Sequence, residues 1–278
     1  ALVEGTQALQ SEGEARPREL ARAEAELLLS HVLGKGRAWL FAHGDAALDP
    51  EHGTRYAALI ERRARGEPIA YLTGRREFWK LSLAVTPDVL IPRHETELLV
   101  EAALARIAPD AKARLVDLGT GSGALALALA HERPHCEVHG CDISAAALEV
   151  ARINAQALGL ERVRWHRGVW WAPLGGMRFA LVVSNPPYLA SADPHFAEGD
   201  LRFEPRDALA AGRDGLNAIR AILAGAPAHL DPGGWLLIEH GSEQGDAVRE
   251  LFRAAGFGSI ETLRDLEARQ RVTLGRAN

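Results

Sequence analysis

Ser184-Asn185-Pro186-Pro187-Tyr188 is the segment whose residue types most narrow the chemistry open to this chain. It follows an apolar run at 180–183 that reads as a strand, and open α/β sheets hold their ligands beyond the carboxyl ends of strands. The two prolines lack N–H groups and fix φ, so nearby backbone carbonyls stay available as acceptors in a stiff turn. Asn185 adds a side-chain carbonyl oxygen and Tyr188 a flat aromatic face. Two acceptors and a stacking ring suit a planar group that carries an –NH2. They do not suit a hydroxyl, or a carbon that needs a nucleophile to activate it.

A second cluster, Asp117-Leu118-Gly119-Thr120-Gly121-Ser122-Gly123, sits between a strand and a helix. Glycines there permit φ > 0 and let a ligand touch backbone that a Cβ would block. Asp142 ends the following strand, 23 residues after Gly119, where a carboxylate can accept from both hydroxyls of a ribose. The dinucleotide fingerprint is G-x-G-x-x-G, whereas the pattern here is G-x-G-x-G. The glycines alone leave a nicotinamide cofactor, and with it an oxidoreductase, open.

Cys136 and Cys141 are the only cysteines and make no disulfide framework. With His135 and His139 they resemble a metal-ligand run. Residues 137–142 alternate as a strand, which sends Cys136 to one face and His139 and Cys141 to the other. Ligands on opposite faces cannot converge on one ion, so no metal is expected.

These residues need a scaffold, and the patterning supplies one. Residues 1–74 read as a small helical domain. Pro17 suits a first helical position, Leu20, Leu27, Leu28 and Val32 recur toward one face, and Gly34 stops the helix. A second helix starts with Asp49 as N-cap and Pro50 at N1, carries Tyr56, Leu59 and Ile60, and ends near Gly66. Residues 75–91 form a hairpin linker, alternating through Phe78, Leu81, Leu83 and Val85. Residues 92–278 open with a helix at 95–107 and then alternate strand and helix from Arg114. Strands are expected at 115–118, 137–142, 162–167, 179–184, 235–239, 259–263 and 271–274. Helices are expected at 124–131, 144–158 (capped by Ser144), 214–230 and 243–255. Such alternation predicts an α/β fold with a mostly parallel sheet, and an antiparallel last strand because no helix separates the final two.

Composition bounds the rest. The chain has 278 residues, 47% hydrophobic and 25% charged, as in soluble globular proteins. No apolar run approaches the ~20 residues of a membrane helix. Ala1–Gln10 lack a basic, apolar leader pattern, so a cytoplasmic chain is expected. The net charge is -5, and residues 1–75 hold ten basic and eleven acidic side chains, which disfavours a nucleic-acid partner.

Taken together, the sequence resembles the release-factor glutamine methyltransferases, the HemK/PrmC family, along essentially its whole length. Tyr71-Leu72-Thr73-Gly74, Leu90-Ile91-Pro92-Arg93-His94-Glu95-Thr96-Glu97 and Arg202-Phe203-Glu204-Pro205 carry the resemblance beside the two clusters above, with Glu239-His240-Gly241 and Arg271–Arg276. The resemblance implies a Rossmann-like class I methyltransferase sheet behind a helical substrate-docking domain. It implies that Gly119, Thr120, Gly121, Ser122, Gly123, Asp142, Trp170 and Asn185 bind S-adenosylmethionine. It further implies that Asn185, Pro186, Pro187 and Tyr188 hold a glutamine side chain, with Asn185, Pro186 and Tyr188 catalytic, and that the partners are peptide chain release factors. A monomer is expected. Val169 stands where relatives commonly have an aspartate, which removes a side-chain contact to the adenine amine, and His94 stands where proline is common. The alternative is a nucleic-acid amino-methyltransferase acting on adenine or guanine, which would need a flipped base and a basic channel.

Overall fold

The computed structural model describes residues 1–11 and 16–278. Its contacts separate into two compact units, residues 1–75 with 197–203 and residues 76–196 with 204–278.

The first unit holds α1 (Leu2–Ser11), α2 (Arg18–Leu33), α3 (Arg37–Ala42), α4 (Pro50–Ala64) and α5 (Ile69–Thr73). Asp49 caps α4 by accepting from the His52 amide at 3.0 Å, with Pro50 at the first turn. Gly34 ends α2 in the left-handed conformation, φ 62°. Pro17, however, is the N-cap of α2 and not its first residue. The buried stripe also differs from the one expected. Leu20 and Leu27 are 49% and 55% exposed, while Ala21, Ala25, Leu28, Leu29 and Val32 are buried. Small residues at 21 and 25 let neighbouring helices approach α2 closely, and that packing outweighs the larger leucines. Glu24, buried, accepts from Arg63 at 2.6 Å and pairs with Arg16 at 3.3 Å, tying α2 to α4. Residues 197–203 join this unit through Asp200, 3.4 Å from Arg63, and through Arg202, which donates to the Arg65 carbonyl at 3.1 Å.

The second unit begins with the hairpin β1 (Arg75–Phe78) and β2 (Leu81–Ala84). A 3-10 turn at His94–Thr96 leads into α6 (Glu97–Leu104). The sheet contains β3 (Arg114–Leu118), β4 (Glu137–Asp142), β5 (Arg164–Arg167), β6 (Phe179–Ser184), β7 (Leu230–Glu239), β8 (Gly258–Arg264) and β9 (Gln270–Arg276). α7 (Ala124–Glu132), α8 (Ala145–Ala157), α9 (Asn217–His229) and α10 (Gly245–Ala254) lie between them in sequence. The order is β5-β4-β3-β6-β7-β9-β8, parallel except for β9, which runs antiparallel to both neighbours. β7 starts five residues earlier than its apolar pattern suggests. Asp231-Pro232-Gly233-Gly234 interrupts that pattern, and the register with β6 shifts there. α9 starts later than expected because Asp214 caps the Leu216 amide at 3.1 Å outside the helix.

Both faces of the sheet are covered, so strand residues alternate between two apolar clusters. Leu115, Leu181 and Val183 face one, and Val116, Leu118 and Val182 the other. β3 and β6 are neighbours, and the chain leaves β3 toward α7 on one face and β6 toward α9 on the other. That reversal opens a crevice at the carboxyl ends of β3, β4 and β6.

Gly140 on β4 leaves room for Trp165 and Thr120. A Cβ there would lie 2.4 Å from the Trp165 ring and 3.1 Å from the Thr120 hydroxyl. Gly140→Ala should therefore cost about 1–3 kcal/mol through overpacking. Urea denaturation measures it, and an unchanged midpoint would mean that Trp165 yields freely.

Candidate active site

The turn after β3 is fixed across the sheet before any ligand is considered. The amides of Gly119 and Thr120 both donate to the Cys141 carbonyl, at 2.8 and 2.9 Å. Gly119 and Gly121 have φ of 75° and 55°, and nothing lies within 4 Å of where a Cβ would stand on Gly121. That open space forms a cradle of bare backbone.

Asp142, at the end of β4, accepts from the Gly121 amide through Oδ2 and from the Ser144 amide through Oδ1, each at 2.9 Å. The two oxygens together offer four lone pairs, so the carboxylate keeps acceptor capacity beyond its backbone donors. Burial raises the Asp142 pKa, and the backbone amides of Ser144, Gly121 and Ile143 oppose that rise.

Gly119, Gly121, Asp142, Trp170, Asn185 and Pro187 line one cavity of about 500 Å³. Trp170 adopts φ 47°, unusual for a bulky residue. Its ring lies 3.5 Å from the position of a Cβ on Gly119. The Cys141 thiol, pushed up to about 12 chiefly by burial, donates to the Trp170 carbonyl at 3.2 Å and holds this loop to β4. Ile143 and Val169 add apolar walls with 63% and 51% exposure.

Other residues expected at the site do not line the cavity. The Thr120 hydroxyl donates to Asp117 Oδ2 at 2.6 Å, and the buried Ser122 offers its carbonyl to Asn154 Nδ2 at 2.9 Å. Both stiffen the turn from behind. Gly123 is the left-handed N-cap of α7. Pro186 is buried, and Tyr188 offers its carbonyl to Gln244 Nε2 at 3.0 Å. The Tyr188 hydroxyl pKa is raised first by burial and then by the charge of Glu239, and the residue as a whole is half-buried. Cys136 donates to the Ala111 carbonyl, and His139 stacks on His166. Among the described residues no three His, Cys, Asp or Glu side chains are grouped to hold a metal.

Several residues that motif reading assigned no role are drawn into the site. Asn185 Nδ2 donates to the Thr96 hydroxyl at 3.1 Å. Glu239, fully buried at the end of β7, has its carboxyl raised to about 7, first by burial. Asp117 is also raised to about 7, for the same leading reason. Arg93 pairs with the buried Glu204, whose other oxygen accepts from the Ile91 amide at 3.2 Å. This pair joins the Pro92-Arg93-His94-Glu95-Thr96-Glu97 block to Glu204-Pro205. His94 itself is exposed and opens the 3-10 turn, so the block accepts it without proline. A lone acidic residue in an apolar strand was the signal for Asp117 and Glu239, whereas Arg93, Thr96 and Glu204 stand in polar stretches that carry no such mark.

Comparison with known proteins agrees with this architecture. Residues 1–74 match the PrmC N-terminal domain, and residues 94–198 match the methyltransferase small domain. A release factor glutamine methyltransferase of Xylella fastidiosa is 55% identical over 257 residues, 92% of this chain and 94% of that protein. The Escherichia coli release factor glutamine methyltransferase is 49% identical over 258 residues, 93% of each. Among solved structures, a methyltransferase from Pyrococcus furiosus superposes with a TM-score of 0.55 at 17% identity, over 78% of this chain and 98% of that one, a likeness of fold.

Proposed function

Because this chain belongs to the release factor glutamine methyltransferase family, we propose that its cavity binds S-adenosylmethionine and presents a release-factor glutamine amide to it at Asn185. The bare backbone at Gly119 and Gly121 and the spare lone pairs of Asp142 fit a ligand with a polar chain and a ribose. Ile143, Val169 and Trp170 fit a flat ring, gripped by apolar contact in place of a side-chain hydrogen bond from position 169. When bound, the donor supplies a methyl on a sulfonium. The chain's own residues do the rest. An amide nitrogen is a poor nucleophile because its lone pair is delocalised into its carbonyl. Acceptors placed on its N–H bonds return electron density to nitrogen and compensate the positive charge that grows there. Asn185 Oδ1 is one such acceptor, and a backbone carbonyl of the proline turn is the other. Holding the nitrogen in line removes the remaining orientational cost.

The observation that carries this reading is Asn185. It lines the same cavity as Asp142, and its Nδ2 is engaged by Thr96, which supports Oδ1 as the atom that meets a substrate N–H. Incubation with methyl-labelled S-adenosylmethionine and either a purified release factor or nucleic acid tests the proposal. Label in one glutamine of the release factor is expected. Label in nucleic acid alone would replace this reading by the amino-methyltransferase of bases.

The helical unit is assigned to docking of the protein substrate, since one glutamine side chain offers too little surface for specificity. Deletion of residues 1–74 should leave S-adenosylmethionine binding intact. It should also erase the preference, in kcat/KM, for a whole release factor over a short glutamine peptide. A truncated chain that keeps the preference would place docking elsewhere.

A further inference from the structure

Asn185 and Glu239 arrive side by side through sheet register. Ser184 on β6 pairs with Ile238 on β7, and each of the two residues is the next one along. Thr96, from the 3-10 turn before α6, stands between their side chains. Its hydroxyl accepts from Asn185 Nδ2 at 3.1 Å and favours the charged form of the Glu239 carboxyl. Glu239 Oε2 is buried without a hydrogen-bond partner.

We propose that Glu239, acting through Thr96, is a positioning residue that fixes which end of the Asn185 amide meets the substrate. The argument is one of donors and acceptors. A threonine hydroxyl has one hydrogen and two lone pairs, and an ionised carboxylate only accepts. With Glu239 charged, the Thr96 hydrogen is committed to it, and Thr96 can then only accept from Asn185. The amide must turn Nδ2 toward Thr96 and Oδ1 away. With Glu239 protonated, its own O–H can donate to Thr96. The Thr96 hydrogen is then free to point at Asn185, and the reversed amide, which offers N–H groups to an N–H substrate, becomes competitive.

A carboxylate in this place has several charged neighbours. Arg271 on β9 favours its charged form, Glu95 on the 3-10 turn opposes it, and the Tyr188 hydroxyl donates weakly to it. Arg93 and Arg271 also face Tyr188. Burial is the largest effect, so the proton returns at about 7. The sign follows: as pH falls through about 7, Glu239 neutralises, the relay loses its direction and kcat falls.

The consequence for kcat rests on the methyl-transfer reading. The relay itself rests on the Asn185–Thr96 bond and on the register that sets Glu239 beside Asn185, and the test separates the two. In the ligand-free protein, NMR follows the Glu239 carboxyl and the Asn185 side-chain NH2 signals across pH 5–9. The Asn185 signals are expected to titrate with Glu239 and to lose that titration in Thr96→Val. In turnover at saturating S-adenosylmethionine, wild type is expected to lose kcat below about pH 7. Glu239→Gln, which keeps an acceptor but cannot titrate, should show a flat profile. Thr96→Val should lower kcat roughly tenfold to a hundredfold at pH 8, the effect of one lost hydrogen bond to a reacting group, while Thr96→Ser restores it. Asn185 signals that ignore the Glu239 titration, or a Glu239→Gln enzyme that keeps the wild-type acid limb, would overturn the relay. Coupled signals in a protein that methylates no release factor would instead overturn the proposed function and leave the relay standing.

Discussion

Asn185→Ala is expected to lower kcat by about a hundredfold to a thousandfold, the scale of losing one preorganised group aimed at developing charge. The substitution removes the side-chain carbonyl that the proline turn contributes to the cavity. Pro186 remains buried and β6 is untouched, so the turn should persist. The lost interaction strengthens as the nitrogen becomes cationic, and such a loss appears in kcat more than in ground-state binding. Calorimetric affinity for S-adenosylmethionine should change by less than about tenfold. Asn185→Asp should fall between wild type and alanine. It keeps an oxygen toward the cavity but sets a second carboxylate against Thr96, whose single hydrogen cannot serve both. Single-turnover rates would decide the matter. An alanine variant as fast as wild type would reduce Asn185-Pro186-Pro187-Tyr188 to a structural corner.

Asp142→Ala should act on the other half of the site. Loss of a charged acceptor for two ribose hydroxyls corresponds to about 1.5–3 kcal/mol, or roughly tenfold to 150-fold in S-adenosylmethionine affinity. The substitution also frees the amides of Gly121 and Ser144, so the glycine turn loosens as the ribose contact is lost. kcat at saturating donor should change far less, because Asn185 and Thr96 are untouched. Asp142→Asn would be a poor control, since the new NH2 would oppose one of the two backbone N–H groups. Affinity should also weaken on acidification, beginning at a higher pH than an ordinary aspartate would give, because burial raises the Asp142 pKa. A binding titration that shows unchanged affinity in Asp142→Ala would remove this carboxylate from the site.

Local rules explain most of what was legible in the sequence. Ser144 caps α8 by accepting from the Ala147 amide at 3.1 Å, and Asp49 does the same for α4, because capping depends on residues two or three positions away. β6 is found at the residues its apolar run marks. The glycine turn and Asp142 are also a local matter, since adjacent parallel strands joined by one helix must bring their carboxyl ends together. The short helices α1 and α3 were not visible as separate elements, and α2 buries a different stripe from the one its leucines suggest. In each case the partner surface decides, and periodicity carries no information about that surface.

The sequence by itself determined the alternation of strands and helices, the Gly119–Gly123 turn with its acidic partner, and the place of Asn185 at a strand end. Each follows from residues close in sequence or from a spacing that the fold imposes. Only the tertiary structure decided which of those residues line the cavity, and that Thr120 and Ser122 brace the glycine turn from behind. It alone placed Thr96 on Asn185 across 89 positions and set Glu239 beside them through the β6–β7 register. Hydrogen-bond direction depends on which donor meets which acceptor in space, and residues drawn from three distant segments meet only when the sheet has formed.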